Sequence, residues 1–337
     1  MSGHRWPWRS DSRWLRRLTI ASTALVAVIC LAETWSSDRW WLTAPLTWAP
    51  QLQWAAFPAL LVLWSLLAGN LRWAAVNLAA TAFIVLGPAG LETGNARVSA
   101  GDTIVVATHN LAGRVGMTPK LRDHWLDDCD VLCIQEGAAD GFARMLTKED
   151  GYDQAEVGDV RTFIRGRIAR TEVIGPARGS HRRFLACQAE IDGRRVAILN
   201  VHLATNLKDR GLSRRLFHVR RYLRGAVAVR VREHRLIEEW LAGQAHPALV
   251  LGDFNTPPSS AHHRRLAASA TDAFEATGRG FGYTYLVRGV IPAVRIDYVW
   301  CANGATPVSC TTGGEWASDH MWVEARVELP DSSEDEE

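Results

Sequence analysis

Three long apolar runs dominate the first ninety residues of this chain and limit what that part can fold into. They cover residues 18–35, 52–69 and 71–88, each about 18 residues long, close to the length of a helix that crosses a bilayer. Ten of the fifteen Trp residues precede residue 75, and several flank the runs as aromatic belts do. The pattern predicts a membrane region over residues 1–90 with three transmembrane helices. A cleaved signal peptide followed by soluble helices is the alternative.

Basic residues indicate how this region is oriented. The segment that leads into the first run carries five arginines, Arg5, Arg9, Arg13, Arg16 and Arg17. Because cytoplasmic flanks are enriched in Lys and Arg, we expect a cytoplasmic amino terminus. Three crossings would then place the rest of the chain outside the cytoplasm. The sequence therefore predicts a multi-pass protein of the cell membrane with an extracytoplasmic domain.

The remaining chain has the pattern of an α/β domain. Residues 91–101 are small and polar and indicate a linker, residues 102–329 form the predicted domain, and the acidic residues 330–337 are a predicted disordered tail. Apolar runs predict strands over 103–111, 131–136, 248–252, 295–301 and 321–329, and a hairpin over 183–203 turning at Asp192-Gly193. Helical spacing marks 121–130 and 229–242. We expect a four-layer α/β sandwich of two packed mixed β-sheets with outer helices.

Two local features leave alternatives open. Cys301 and Cys310 could close a small loop as a disulfide, whereas scattered buried thiols are the other interpretation.

Residues 207–235 contain ten basic and two acidic residues. This basic stretch is either an arginine-rich solvated helix or a contact for phosphate or anionic lipid.

Polar side chains end one predicted strand after another. These endings are His109-Asn110, Gln135-Glu136, Asn200 to His202, Asp253 with Asn255, Asp297, and Ser318-Asp319-His320. Each of these endings carries side chains of a type that can bind a metal or transfer a proton. Their repetition predicts that they converge on one rim of the sandwich.

The same segments carry a family resemblance. The motifs THNL, CIQEG, NVHLATN, LGDFNTPP, RIDYVW and SDHMWVEA, in this order over residues 102–329, resemble those of the endonuclease/exonuclease/phosphatase superfamily. The resemblance implies hydrolysis of a phosphoester with a divalent cation, Mg²⁺ or Mn²⁺ as its substitute. Hard cations of this kind prefer oxygen ligands.

The resemblance also implies roles for individual residues. Glu136, Asn110 and Asp319 match metal-site positions. Asp253 matches the residue that orients and deprotonates the attacking water. Asn255 matches a residue that donates a hydrogen bond to the phosphate. His202 and His320 match phosphate-contacting histidines, with Asp297 fixing the charge and tautomer of His320.

Other polar residues have structural interpretations. Asn200 is expected to cap its strand, His109 to be a hydrogen-bonded strand histidine, and Gln135 to orient Glu136. His262-His263 is expected to open a solvated helix. The family often carries a Ser-Arg pair in the middle region, where this chain has Arg165-Gly166-Arg167 instead.

Substrate identity stays open at this level. A phospholipid headgroup, a soluble phosphodiester and a nucleic acid all fit the expected chemistry, and no protein partner is expected. The alternative function is a catalytically weak lipid- or nucleic-acid-binding protein that retains the fold.

Overall fold

The computed structural model describes residues 13–99, 101–113, 123, 125, 128–137, 150–205, 219–314 and 318–330. These residues form two compact units. One unit contains the chain up to Leu91 together with Pro258–Ala261, and the other contains the rest from Glu92 onward. The acidic tail beyond residue 330 and the first part of the basic stretch lie outside the described residues.

The first unit is helical. Its helices are α1 (Arg13–Trp35), α2 (Ala44–Trp48), α3 (Gln53–Leu67) and α4 (Leu71–Leu86), with a 3-10 turn at Ser37–Arg39. The side chain of Asn70 caps α4 by accepting a hydrogen bond from the backbone N–H of Trp73. Gly69, with φ 69°, turns the chain between α3 and α4.

The prediction of three transmembrane helices is wrong in number. Among the described residues, one helix, the 23-residue α1, is long and apolar enough to cross a membrane. At 1.5 Å rise per residue, α3 with 15 residues and α4 with 16 reach only about 24 Å, short of a hydrocarbon core of about 30 Å. The structure therefore does not support crossings at 52–69 and 71–88 or a multi-pass topology.

The packing of these helices leaves many large apolar side chains outside. The interior contains small and polar side chains beside Leu15, Leu61 and Ile84, and Nδ2 of the fully buried Asn77 donates to Oγ1 of Thr19 at 2.9 Å. The large apolar side chains that face outward include Leu25, Val28, Leu31, Leu60, Leu63, Leu66, Leu67, Leu78, Phe83 and Leu86. Close contact through small residues, with large apolar residues outside, is typical of helices in an apolar medium.

The second unit is built on two six-stranded sheets. The first has the order β15-β16-β2-β3-β5-β4, and the second β10-β14-β9-β8-β7-β6. The bounds of the first sheet's strands are β2 (Thr103–Asn110), β3 (Val131–Gln135), β4 (Tyr152–Val157), β5 (Val160–Arg165), β15 (Thr306–Gly313) and β16 (Trp322–Glu328). Those of the second are β6 (Arg167–Ile174), β7 (Phe184–Ile191), β8 (Arg194–His202), β9 (Ala248–Asp253), β10 (Thr271–Asp272) and β14 (Asp297–Ala302). Both sheets are mixed, since β2–β3 and β8–β9 are parallel and the other pairs are antiparallel.

Smaller elements complete this unit. β1 (Glu92–Thr93) pairs with β11 (Arg279–Gly280), and β12 (Tyr285–Val287) pairs with β13 (Ile291–Val294). The helices are α5 (Val219–Ala242), α6 (Ala261–Leu266) and α7 (Ala273–Thr277). Within the predicted helix 121–130, Asp123, Trp125 and Asp128 are helical, and several of its other residues lie outside the described part.

The core has layers that match the predicted sandwich. Apolar residues from both sheets meet in the middle, including Val106 and Cys133 of the first and Ile198 and Leu251 of the second. A second cluster packs α5 onto the outer face of the second sheet, with Ile237, Trp240 and Leu241 against Phe184, Leu199, Val250 and Trp300. A third cluster covers the outer face of the first sheet around Trp125. Two packed mixed sheets with helices outside them are thus confirmed.

The structure confirms the predicted hairpin of this unit and extends one of its predicted helices. The hairpin of β7 and β8 turns at Asp192 and Gly193, with φ of 49° and 77°, as a two-residue turn with two positive φ angles requires. Helix α5 begins ten residues earlier than the predicted 229–242. All six cysteines are free, and Cys301 and Cys310 are buried thiols.

Candidate active site

Asp253 lies at the centre of the rim where the strand ends converge. Its side chain is almost fully buried, and Oδ2 accepts hydrogen bonds from Nδ2 of Asn110 at 2.9 Å and Nδ2 of Asn255 at 3.0 Å. Asn110 ends β2 in the first sheet, and Asp253 ends β9 in the second. The rim therefore brings both sheets together at one carboxylate, as the strand endings predicted.

Asn255 reaches Asp253 by a turn. Its φ is 48°, and its backbone N–H donates to Oδ1 of Asp253 at 2.8 Å. The sequence argument had assumed an extended segment in which residues 253 and 255 point the same way. The side chains do meet, but an Asx turn brings them together.

His202 links Asp253 to a second carboxylate. Its Nε2 lies 3.5 Å from Oδ2 of Asp253 and 3.4 Å from Oε1 of Glu136, and its Nδ1 lies 2.8 Å from Oδ2 of Asp159. The ring is 1% exposed. A carboxylate at Nδ1 fixes which nitrogen faces the other acids, so Nε2 is directed into the site.

Arg182 stands beside these acids. Its guanidinium pairs with Asp159, lies 3.4 Å from Oε1 of Glu136 and 2.9 Å from Nδ1 of His202. Burial raises the pKa of Asp159, but the hydrogen bond to His202 and the charges of His202 and Arg182 outweigh burial and lower that pKa below its ordinary value.

His320 and Asp297 form a pair on the other side of Asp253. Nδ1 of His320 lies 2.9 Å from Oδ2 of Asp297. Burial lowers the pKa of His320, but the Asp297 charge and hydrogen bond outweigh it and raise the pKa to about 10. Burial, followed by the charge of Asp297, raises the pKa of Asp253. Ligand atoms of Asp253, Asp297 and His320 all lie within 4.8 Å of one another.

Two buried carboxylate oxygens at this rim have no hydrogen-bond partner among the described residues, Oδ1 of Asp297 and Oδ1 of Asp319. Asp319 immediately precedes His320, and its charge contributes to the raised pKa of that histidine. Unpartnered buried carboxylate oxygens are costly unless a cation or a donor satisfies them.

The sequence profile of the endonuclease/exonuclease/phosphatase family matches residues 107–320. This chain belongs to that family. The matched range contains all eight of the predicted site residues. A search of curated proteins finds no match.

Solved structures of family members share the fold. The endonuclease/exonuclease/phosphatase from Bacteroides vulgatus is 18% identical with a TM-score of 0.53, covering 68% of this chain and 100% of that one. TDP2 of D. rerio, complexed with single-strand DNA product, is 16% identical with a TM-score of 0.53, and the match covers 68% of this chain and 100% of TDP2. A mannosyl-6-phosphatase of Bacteroides thetaiotaomicron is 16% identical with a TM-score of 0.52, and the match covers 67% of this chain and 100% of the phosphatase.

The donor set fits the divalent cation expected in this family. Ligand atoms of Glu136, Asp159 and His202 lie within 4.8 Å of one another. Ligand atoms of Asp253, Asp297 and His320 form a second such group, and both groups contain two carboxylates and one imidazole. Such oxygen-rich surroundings suit a hard cation such as Mg²⁺.

Three polar strand residues have structural contacts, which was predicted for Asn200 and His109, but Asn200 lies within β8 and does not cap it. Nε2 of Gln135 donates to Oδ1 of Asn200 at 2.8 Å and Oγ1 of Thr108 at 3.0 Å, and Asn200 donates on to Thr162. This network joins the two sheets beneath the site, and Gln135 serves it instead of orienting Glu136. Nε2 of His109 lies 3.1 Å from the backbone oxygen of His320.

Sequence reasoning missed Arg182 and Asp159. Arg182 lies among arginines just before β7, and Asp159 follows Gly158 in the turn between β4 and β5, where Asp is a common turn residue. The arginine at the position compared with the family's Ser-Arg pair, Arg165, contacts the hydroxyl of Tyr152 instead. The signal that could have drawn attention to Arg182 is its position just before β7, the hairpin partner of β8, which ends in His202.

The prediction that His262 and His263 lie on a solvated helix is wrong. Both are buried, at 4% and 5% exposure. Nε2 of His263 lies 2.9 Å from Oδ2 of Asp272, and Arg295 donates to the same oxygen at 2.5 Å. The guanidinium already supplies the positive charge at this carboxylate, so the cluster is a structural one.

Proposed function

We propose that this chain is a divalent-metal-dependent phosphoester hydrolase that uses the Asp253 rim. The observation that carries the proposal is the environment of the Asp253 carboxylate. Two side-chain amides orient its Oδ2, which lies 3.5 Å from His202 Nε2, while His320 approaches from the other side. An oriented, buried carboxylate between imidazoles is suited to activate a water molecule beside a phosphoryl group.

The other residues divide the remaining tasks. The Asn110 and Asn255 amides hold the Asp253 carboxylate in one orientation, so the proton of an attacking water is taken at a defined atom. His202 and His320, each fixed through Nδ1 by a carboxylate, present their Nε2 atoms to phosphoryl oxygens. Arg182 adds a cationic donor near Glu136. Fixed donors of this kind stabilise the charge that develops in phosphoryl transfer.

Glu136, Asn110 and Asp319 are the proposed metal ligands, with Asp159 beside Glu136. These residues would hold Mg²⁺ or Mn²⁺, which would supply positive charge to stabilise the negative charge that develops on the phosphoryl oxygens. Among the structures with this fold, one is a mannosyl-6-phosphatase and another, TDP2, is bound to a DNA product, which supports a phosphoester as the substrate class.

A generic diester tests the proposal. The full chain in detergent is incubated with bis(p-nitrophenyl) phosphate and Mg²⁺, with and without a chelator. We expect metal-dependent release of nitrophenol that falls by about 10²–10⁴-fold in Asp253→Asn. Asp192→Asn, the same change in the exposed hairpin turn, is the matched control and should retain activity. Turnover that is equal in Asp253→Asn and wild type would refute the proposed site.

We also propose that α1 anchors the chain in a membrane and leaves the catalytic unit outside the cytoplasm. The support is the length and apolar character of α1, the outward-facing large apolar residues of the first unit, and the arginines before and in the first turns of α1. A carboxyl-terminal reporter that is active only outside the cytoplasm tests the side, and carbonate extraction tests the anchor. Reporter activity with full release of the protein by carbonate would indicate a cleaved signal peptide instead.

A further inference from the structure

An open cleft lies beside the proposed catalytic rim. Its volume is about 430 Å³, and its walls are the first half of α5, the loop Gly179–His181, and Ala204 with Thr205. This volume is in the range of small-molecule sites in proteins. Two of its walls come from segments that carry site residues, since His181 precedes Arg182 and Ala204 follows His202 by two positions.

The lining of this cleft is cationic. It includes His181, Arg221, Arg230 and Arg232, together with Tyr222, and none of the lining residues within the described part of the chain is an Asp or Glu. Nε of Arg232 is buried and has no hydrogen-bond partner among the residues that the structure describes. A buried guanidinium donor without a partner is costly in free energy, so the lining favours an anionic ligand.

Buried hydrogen bonds fix the cleft to the catalytic rim. Arg230 is 1% exposed, and its Nη2 donates to the backbone oxygen of Ala204 at 2.6 Å. Its Nη1 donates to Oγ1 of Thr256 at 2.7 Å and to the backbone oxygen of Phe254. One side chain in the cleft therefore holds the segments that follow His202 and Asp253.

A second set of bonds connects the cleft to Arg182. Oγ of Ser180, a lining residue, donates to Oε1 of Glu233 at 2.6 Å and accepts from the backbone N–H of Arg182 at 3.0 Å. Glu233 is fully buried and also accepts from the backbone N–H of Ala204. Its carboxylate is thus occupied by these donors, and it is not among the lining residues of the cleft that the structure describes.

We propose that this cleft binds a second phosphate group of the substrate, separate from the phosphate that is hydrolysed. The inference rests on the proposed hydrolase function for the place of the first phosphate. Arginine and a tyrosine hydroxyl are suitable donors to phosphate oxygens, and the fixed walls hold such a group at a constant position from Asp253. The second phosphate could belong to a neighbouring nucleotide or to a phosphorylated headgroup.

Two substrate pairs distinguish these sources. One pair is the dinucleotide d(TpT) and its 5′-phosphorylated form d(pTpT), and the other is glycerophosphoinositol and its 4-phosphate. With the full chain in detergent and Mg²⁺, we expect at least about a tenfold lower KM for the phosphorylated member of one pair. The pair that shows the difference identifies the source, and equal KM values within both pairs would overturn the inference while leaving the hydrolase in place.

Matched variants locate the effect. In the double variant Arg221→Ala/Arg232→Ala the KM ratio within the responsive pair should fall towards one. Arg235→Ala removes one guanidinium from an exposed position on the same helix, outside the lining, and should keep the ratio. A ratio that persists in the double variant would place the second phosphate elsewhere and refute the cleft as its site.

Binding without turnover separates the two proposals. Inorganic pyrophosphate is titrated into wild type and both variants by calorimetry. Pyrophosphate binding that is at least about tenfold weaker in the double variant, and unchanged in Arg235→Ala, supports the cleft. If none of the diesters is hydrolysed in addition, the proposed function fails and the phosphate site stands. Equal affinity in all three proteins overturns the cleft site whether or not the chain is active.

Discussion

Asn110 donates a 2.9 Å hydrogen bond from its side-chain amide to Oδ2 of Asp253, which lies 143 residues farther along the chain. The two residues end strands of different sheets, β2 and β9. The bond forms only when the sheets are packed face to face in one register. The orientation of the proposed base therefore depends on how the whole sandwich is packed.

Loss of this bond should slow turnover more than it affects folding. In Asn110→Ala, Asp253 keeps the two donors of Asn255 and loses the one from the first sheet. A hydrogen bond to a charged group contributes about 1.5–3 kcal/mol, so kcat should fall by about 10–100-fold. Steady-state kinetics with a generic diester measure this. Asn95→Ala, at an exposed position, is the control, and a kcat equal to wild type in Asn110→Ala would show that the bond does not orient the base.

The pair of His320 and Asp297 should matter for chemistry. Asp297→Asn keeps the shape of the side chain but removes the charge that holds Nδ1 of His320 at 2.9 Å. We expect kcat to fall by about 10²–10⁴-fold, with a much smaller change in thermal stability. Kinetics and a melting curve on the same preparation separate the two effects. A large loss of stability with kcat preserved in the remaining folded protein would assign the pair to structure instead.

The buried pair of Asp272 and Arg295 should matter for stability. Both side chains are 1% exposed, and the Arg295 guanidinium lies 2.5 Å from the Asp272 carboxylate. Asp272→Asn leaves a buried guanidinium without its counter-charge, which costs about 3–5 kcal/mol and should lower Tm on the order of 10 °C. Thermal unfolding in detergent measures this, with Asp192→Asn as the control for the same change at an exposed site.

The same pair predicts a pH dependence. Burial raises the pKa of Asp272, but the Arg295 charge and the contacts of His263 outweigh it and hold that pKa well below the ordinary value of 3.8. The stabilisation is therefore fully present above pH 3.8 and is lost as the pH falls through the lower pKa of the folded state. The Tm difference between wild type and Asp272→Asn should be constant at neutral pH and become smaller in acid. A difference that grows in acid would contradict the assignment.

Gly252, directly before Asp253, should not tolerate a side chain. Its φ is 141°, and an added Cβ would lie 1.9 Å from the backbone oxygen of Val201 in β8. We expect Gly252→Ala to cost at least about 3 kcal/mol, measured by chemical or thermal unfolding. Gly225 in α5 has open space around it, so Gly225→Ala should be neutral or stabilising by about 0.5–1 kcal/mol. Equal stability of the two variants would show that the β8–β9 approach is looser than described.

Much of the second unit could be predicted because its signals are local. The Asp192-Gly193 turn sets the hairpin by its own backbone preferences, and alternation of apolar residues places Ile198 and Leu251 inside. Motif order identified the rim residues from Asn110 to His320. Arg182 and Asp159 had no local signal. Arg182 lies among other arginines just before β7, and Asp159 occupies an ordinary turn between β4 and β5.

By itself, the sequence determined the elements, the family and the set of polar strand ends, because these depend on periodicity and on short motifs read along the chain. Only the tertiary structure decided that α3 and α4 stop short of a membrane's thickness, that His263 is buried against Asp272, and that Arg230 holds two segments of the candidate active site beside a cationic cleft. Such outcomes depend on distances between residues far apart in sequence, and those distances are set by how whole sheets and helices pack.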